Sequence, residues 1–374
     1  MIEFLPVIIL VFSFLVLLTL GVPVAWCIAM SSMFTLMVAM PFSAATTTVS
    51  QRIGTGLDSF ALLAIPFFIL SGQIMSSGGI AHRLISFAKT LVGFLPGGLA
   101  LINIVSAMMM GAIAGSAMAS ASAMGTILGP EMEKEGYSKE FGAAVNITSS
   151  TTGLVIPPSN TLIVYSLASG GVSIAALFLA GYIPGILTGL FMMIVAIFWA
   201  KKHKYPVGKR SSLKEVFVKF VDAVPSLLLL VIVIGGIIGG VFTATEASAV
   251  AVLYTLLLSF YYKELSLKDL PKVILESTET TAIVMLLIGA SMCMSWVLSY
   301  ENIPQDISNF LLSVSDNKII ILLMINVILL AVGVFMDATP AVLIFTPIFL
   351  PIVTELGMDP THFGIVLMLN LCIG

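Results

Sequence analysis

The stretch Gly111-Ala-Ile-Ala-Gly115-Ser116-Ala-Met-Ala-Ser120-Ala-Ser122-Ala-Met-Gly125 decides the fold, together with Thr151-Thr152-Gly153-Leu-Val-Ile-Pro157-Pro158-Ser159-Asn160, which follows at helical distance. A run of glycine, alanine and serine lets backbones approach closely, and the step from Gly153 to Pro157-Pro158 interrupts an apolar segment. In a soluble protein both would be loops. Here 59% of residues are hydrophobic and only 9% charged, against roughly 25% charged in soluble domains. The same stretches therefore read as broken helices at membrane depth, tolerated where protein or a watery cavity satisfies the freed backbone groups. Breaks of this kind commonly form ion and substrate sites in transporters.

The chain is thus a polytopic membrane protein made of helices. Its net charge of −3 does not point to nucleic acid, and its few charges matter by position. Cys27, Cys293 and Cys372 sit in apolar runs without metal-ligand spacing and read as packing residues. The N-terminal Met1-Ile-Glu3-Phe4 lacks the basic region of a secretory signal, so the first apolar run is expected to stay as a helix.

Working outward from the break, Leu5 to Leu20 and Val24 to Met40 are two spanning candidates parted by Gly21-Val-Pro23. Pro41 to Leu57 is a polar, Thr-rich connection. Phe60 to Ile74 is a third span. Gly78 to Val92 sets His82, Arg83 and Lys89 against Ile80, Leu84, Ile85 and Phe87, the pattern of an interfacial amphipathic helix. If the small-residue tip reverses direction, Leu99 to Pro130 is a re-entrant hairpin, and Phe141 to Ala168 is then a crossing broken around Gly153 to Pro158. Ser173 to Ala200 crosses next. The Lys201-Lys202-His203-Lys204 to Lys209-Arg210 run is the densest basic segment and, by the positive-inside rule, cytoplasmic. Counting back over five crossings puts the N-terminus outside and the Lys134 and Lys139 loop inside.

The second half repeats the first at an offset of about 220 residues. Gly111 pairs with Gly333, Gly115 with Asp337, and Pro130 with Pro351; upstream, Gly21-Val-Pro23 pairs with Gly240-Val-Phe242, and the helix at Ile80 with that at Ile303. Five crossings in the first unit start the second from the opposite side, which makes the repeat inverted. The resulting plan has scaffold helices over 1–57, and a transport half over 58–200 with its hairpin near 99–130 and broken helix at 141–168. A basic linker at 201–222 leads to second scaffold helices over 223–275 and a second transport half over 276–374, with a hairpin near 318–353. A second Pro-Pro break and a final helix are expected beyond Gly374, so the 374 residues read as truncated.

Ser116, Ser120 and Ser122 on the first tip, with Asn146, Thr148, Ser149, Ser150, Thr151 and Thr152 on the next helix, form a polar set without acids. Hydroxyl, amide and backbone oxygens of this kind suit Na⁺; interhelical packing through Ser and Thr is the alternative. Asp337, in Met336-Asp337-Ala-Thr339-Pro340, is an acid at the second tip. It is read either as a cation ligand with Thr339, Gly333 and Gly374 or as a helix cap. Thr245 and Glu246 sit where N-cap chemistry is favoured, so Glu246 reads as structural. The chain contains no paired intramembrane acids, no intramembrane histidine and no His-Glu-x-x-His motif, so it is not read as an enzyme. A channel is disfavoured because closed hairpins beside broken helices suit alternating access.

Gly111 to Gly125, Pro130-Glu-Met-Glu-Lys-Glu-Gly136-Tyr137, Ile156-Pro157-Pro158-Ser159 and Thr243-Ala-Thr245-Glu246-Ala together resemble the large membrane subunit of tripartite ATP-independent periplasmic (TRAP) transporters, over essentially the whole chain. The resemblance implies Na⁺-driven import of a carboxylate, of the sialic acid or C4-dicarboxylate class, across the bacterial inner membrane. It also implies delivery by a periplasmic substrate-binding protein, a small four-helix membrane subunit, and an elevator motion of the hairpin domain against a scaffold in the lipid bilayer. Carried over by position, it puts one ion site on Ser116, Asn146, Gly153 and Pro157, and a second on Gly333, Asp337, Thr339 and Gly374. The substrate falls on Ser120, Ser122, Ser159 and Asn160. The rival reading is a two-component Na⁺/anion symporter or antiporter of related architecture that works without a binding protein.

Overall fold

The computed structural model describes residues 5–315 and 317–374, so the N-terminal segment Met1 to Phe4 lies outside the described residues. Helices α1 (Leu5–Thr19) and α2 (Val24–Ala39) pack as a hairpin around the Gly21-Val-Pro23 turn. At about 1.5 Å per residue, these helices of 15 and 16 residues fall short of the ~30 Å hydrocarbon core. They span only with their flanking residues or with local thinning of the bilayer.

The polar connection Pro41 to Leu57 is not a loop but α3 (Phe42–Gly56). Its threonines remove the usual objection to a polar helix, because Thr46, Thr47 and Thr55 donate their hydroxyls to carbonyls four residues back. Its apolar stripe, Ala45 and Val49, packs with Leu36, Cys293 and Val297. Arg52 sits 4.5 Å over the Trp296 ring, which anchors its charge.

The first unit continues through a 3-10 turn (Phe60–Leu63), α4 (Ala64–Ser77), the amphipathic α5 (Ile80–Val92), α6 (Gly98–Ala114), α7 (Ala117–Lys134), α8 (Lys139–Ser150), the short α9 (Thr152–Val155), α10 (Asn160–Ala168) and α11 (Ile174–His203). The second unit comprises α12 (Leu213–Ile238), α13 (Ala244–Tyr261), α14 (Leu270–Tyr300), α15 (Ile303–Val314), α16 (Lys318–Phe335), α17 (Ala338–Glu355) and α18 (Pro360–Ile373). Among the described residues, seven helices are long and apolar enough to cross a membrane. Ile183 on α11 is 71% exposed and Phe335 on α16 is 74% exposed. Outward apolar faces of this kind are what lipid covers.

The two units interlock rather than sit side by side. Helices α12 and α13 pack on the first half of the chain, α13 on α4 and α12 on α5, while α2 packs on α14. The Arg83 guanidinium on α5 lies 3.6 Å from Asp222 of α12 and 3.5 Å over the Tyr262 ring, which pins the amphipathic helix to α12 and the end of α13.

Glu246 closes a capping box at the start of α13. Its carboxylate accepts from the Thr243 N–H and hydroxyl, both at 2.8 Å, while Thr243 Oγ1 accepts from the Glu246 N–H. Glu246→Ala is expected to lower the thermal midpoint by about 2 °C through the lost cap and to leave the ion dependence of transport unchanged. Differential scanning fluorimetry beside an uptake titration checks both halves.

Candidate ion and substrate site

Helices α6 and α7 form a hairpin whose tip is Gly115-Ser116. Gly115 ends α6 with φ of +60°, a left-handed conformation that glycine adopts without strain. Ser116 is extended, and its Oγ accepts from the Ala119 N–H to start α7. Ser120, fully buried, donates to the Ala107 carbonyl across the arms at 3.3 Å. The open ends of the hairpin share one face: Gly98, Leu99 and Glu135 border the same cavity as Lys209 and Arg210 of the basic linker.

The next helix breaks where the sequence places glycine and proline. After α9, Ile156 turns extended, Pro157-Pro158 carries the chain across, and Ser159 caps α10 by accepting from the Leu162 N–H. The Ser159 hydroxyl donates to the Leu154 carbonyl, which the break would otherwise leave open.

The tip and the break meet through bare backbone. A Cβ at Gly153 would lie 2.6 Å from Gly111 Cα, and a Cβ at Gly115 would lie 2.8 Å from the Pro158 carbonyl oxygen and 3.5 Å from the Asn160 nitrogen. The starts of α7 and α10 are thereby brought to one place, each presenting the positive end of a helix. Two buried amide oxygens on these elements lack partners, Asn160 Oδ1 at the junction and Asn146 Oδ1 farther along the hairpin, beside Ala121 and Gly125 of α7. Asn146 Nδ2 donates to the Ala121 carbonyl at 2.8 Å, leaving Asn146 Oδ1 buried and unpaired, and Asn160 Oδ1 beside Gly115 is likewise buried and unpaired. Orphaned buried oxygens of this sort invite a hard cation. Among the described residues no cluster of three or more His, Cys, Asp or Glu could hold a metal, and the side chains at the first tip, Ser116, Asn146 and Asn160, are neutral.

The rest of the polar set is spent differently. Thr148, Ser150, Thr151 and Thr152 donate to carbonyls three or four residues back, and Ser149 reaches Asn103 Oδ1 on α6 at 3.1 Å. Pro157 is buried in the break, whereas Ser122 on α7 is exposed. The second unit shows the same backbone contact. A Cβ at Gly333 would lie 3.0 Å from Gly374 Cα, as Gly111 meets Gly153. Asn370 donates to Asn326 Oδ1 at 2.6 Å, in the positions that Ser149 and Asn103 hold in the first unit. Asp337 is exposed at the N-cap of α17 without a side-chain capping bond, and Thr339 is half-buried one residue into the helix.

With this geometry in view, the family follows. The family model for the tripartite ATP-independent periplasmic transporter, DctM component, matches residues 11–374. The chain belongs to this family. It is 56% identical over 369 residues to the uncharacterized protein YgiK of Salmonella typhimurium, covering 99% of this chain and 85% of that one. It is 42% identical over 318 residues to the C4-dicarboxylate TRAP transporter large permease protein DctM of Pseudomonas aeruginosa, covering 85% and 74%. Among solved structures, the Alcanivorax borkumensis YdaH transporter aligns with a TM-score of 0.58 over 88% of this chain and 76% of that one, at 13% identity, a likeness of fold. As a member of the DctM family the protein is a membrane transporter subunit for organic acids and not an enzyme.

Around this DctM-family core, two features escaped the sequence reading. Gly181, Gly185 and Gly189 form a stripe on α11 that lets it close on the break; a Cβ at Gly181 would lie 2.5 Å from the Val155 carbonyl. The glycine spacing of four was the available signal. Asn103 and Asn326 hold the helices behind each tip, and their matching places in the two repeats were the signal there.

Proposed function

We propose that the protein is the large permease of a Na⁺-coupled importer of a carboxylate, of the C4-dicarboxylate or sialic acid class. A periplasmic binding protein delivers the substrate, and a small four-helix membrane subunit completes the complex in the bacterial inner membrane. The observation that carries this reading is the junction of tip and break, where the starts of α7 and α10 converge and the buried, unpartnered Asn160 Oδ1 lies beside Gly115, with a second orphaned oxygen, Asn146 Oδ1, farther along α7. Neutral oxygens serve the cation, and the N–H ends of α7 and α10 serve the substrate carboxylate. Cation and anion then share one backbone framework, so binding of either favours the other.

In this reading both hairpins are re-entrant. Ser116, Asn146, Gly153 and Pro157 hold one ion, Gly333, Asp337, Thr339 and Gly374 hold another, and Ser120, Ser122, Ser159 and Asn160 lie toward the substrate. The hairpins and broken helices move together as an elevator against the scaffold helices.

The test is uptake into proteoliposomes holding the full-length subunit and its small partner, across a Na⁺ gradient, with and without the cognate binding protein. Uptake that requires both Na⁺ and the binding protein is expected. Uptake indifferent to the binding protein would replace this reading with the two-component symporter, and uptake indifferent to Na⁺ would remove the ion sites.

A further inference from the structure

The basic linker after α11 is built into the fold rather than hanging from it. The segment between α5 and α6 and the linker pair through an isolated antiparallel bridge, Pro96 with Val207. Gly98 and Gly208 both close on the Gly93 carbonyl so tightly that a Cβ at either would collide with it, and a Cβ at Gly97 would lie 2.6 Å from the Ala200 side chain. Arg210 is held with its guanidinium 5.4 Å over the Phe94 ring. This docking borders a solvent-open cavity of about 620 Å³ between α5, the start of α6, the linker and the first turns of α12.

Lys89, Lys209, Arg210 and Lys219 line that cavity against two carboxylates, Glu135 and Glu215. Among the described residues none of these six lies within ion-pair distance of an opposite charge. The cavity therefore carries a net excess of two positive charges that its own acids do not neutralise. It also takes in the first residues of α6, at the positive end of that helix. Four cations from three separate segments around a glycine floor are a mould for a phosphate group rather than a solvated basic run.

Its surroundings have the composition of a membrane interface. Trp199, His203, Tyr205, Tyr137 and Phe141 stack into one aromatic cluster beside the linker, with Tyr137 and Tyr205 centroids 4.3 Å apart. Burial pushes the Tyr137 phenol up to about 12, so it stays neutral next to Glu135. Phe217, Val218 and Val221 flank Lys219 with exposed apolar faces. An aromatic belt with apolar side chains around a basic pocket is where an acyl chain continues from a bound headgroup.

We propose that this cavity binds the phosphate headgroup of an anionic phospholipid, the lipid tying the linker to the base of the first hairpin. A soluble phosphate compound offers the same headgroup chemistry without the chains, and the test separates the two. The full-length chain is purified in detergent and exposed to dioleoyl-phosphatidylglycerol, dioleoyl-phosphatidylcholine or sn-glycerol 1-phosphate, with adducts counted by native mass spectrometry and the thermal midpoint followed. Phosphatidylglycerol is expected to give a retained adduct and a higher midpoint, with phosphatidylcholine and glycerol phosphate giving neither. Each neutralised cation should weaken phosphatidylglycerol binding about fivefold. Lys209→Gln/Arg210→Gln/Lys219→Gln therefore loses the adduct, while Lys201→Gln/Lys202→Gln, in the same basic run but outside the cavity, keeps it. Equal retention of the two lipids by the unmodified chain would overturn the proposal without any variant. So would a triple variant that binds phosphatidylglycerol unchanged, and a full shift from millimolar glycerol phosphate would reassign the cavity to a soluble anion.

Discussion

Gly153→Val is expected to abolish substrate uptake while leaving the protein in the membrane. Gly153 and Gly111 touch backbone to backbone, and a side chain at either position meets main-chain atoms that have no rotamer to yield. Overpacking at a flexible site costs about 1–3 kcal/mol; here the neighbour is a helix on one side and a break on the other, so the tip must move off the broken helix. Such a displacement separates the starts of α7 and α10 and opens the junction that holds Asn160 Oδ1. Loss of at least ten-fold in initial uptake rate is expected for Gly153→Val and for Gly111→Val. Gly333→Val should behave alike, because Gly333 meets Gly374 in the same way. Gly129 is the control: it lies on α7 of the same hairpin with nothing within 4 Å of its missing Cβ, so Gly129→Ala should transport normally. Rates are compared at equal amounts of monodisperse protein. A Gly153→Val protein that transports at the unmodified rate would show that the contact of tip and break is not required.

The breaks were legible because break chemistry is local. Gly115 needs a left-handed backbone, Pro157-Pro158 cannot continue a helix, and Glu246 reads as part of a helix cap, although the cap itself is Thr243 and not Thr245, whose hydroxyl donates to the Phe60 carbonyl. Where each break meets its partner was less legible. Gly111 and Gly153 stand 42 residues apart in sequence, and only the recurrence of the spacing at Gly333 and Gly374 hinted at a contact. The hydroxyl-rich run from Thr148 to Thr152 suggested a converging ligand set, yet most of those hydroxyls turn back on their own helix. Residue identity gives no rotamer, and in an apolar setting the nearest carbonyl is the cheapest partner. The same in-helix bonding hid α3, since a Thr-rich segment looks polar until its hydroxyls are counted as already satisfied. The linker after α11 gave its charge to a count of crossings, while the glycines at 93, 98 and 208 that dock it were invisible as a set because they are scattered over 116 residues.

Asn146→Leu is expected to raise the Na⁺ concentration for half-maximal uptake by at least ten-fold. The amide has two separable roles. Its Nδ2 ties α8 to the Ala121 carbonyl of α7, and its Oδ1 is buried with no partner. Leucine keeps the volume and removes both, so a modest loss of stability, about 1–3 kcal/mol for the carbonyl left unpaired, must be told apart from loss of a cation ligand. Asn146→Asp does this, because it keeps an oxygen for the ion but gives up the donor to Ala121. If Oδ1 is a ligand, Asn146→Asp lowers the thermal midpoint as Asn146→Leu does yet keeps a Na⁺ requirement close to the unmodified one when the carboxyl is ionised. Ser116→Ala adds a second arm: it removes a hydroxyl at the tip and the cap on the Ala119 N–H, the cap being worth about 1 kcal/mol. Its Na⁺ requirement should rise in the same direction. Were Asn146→Leu and Asn146→Asp both to show the unmodified Na⁺ dependence while losing stability equally, the amide would be a strut between α7 and α8. The orphaned oxygen of Asn160 would then be the remaining candidate at the junction.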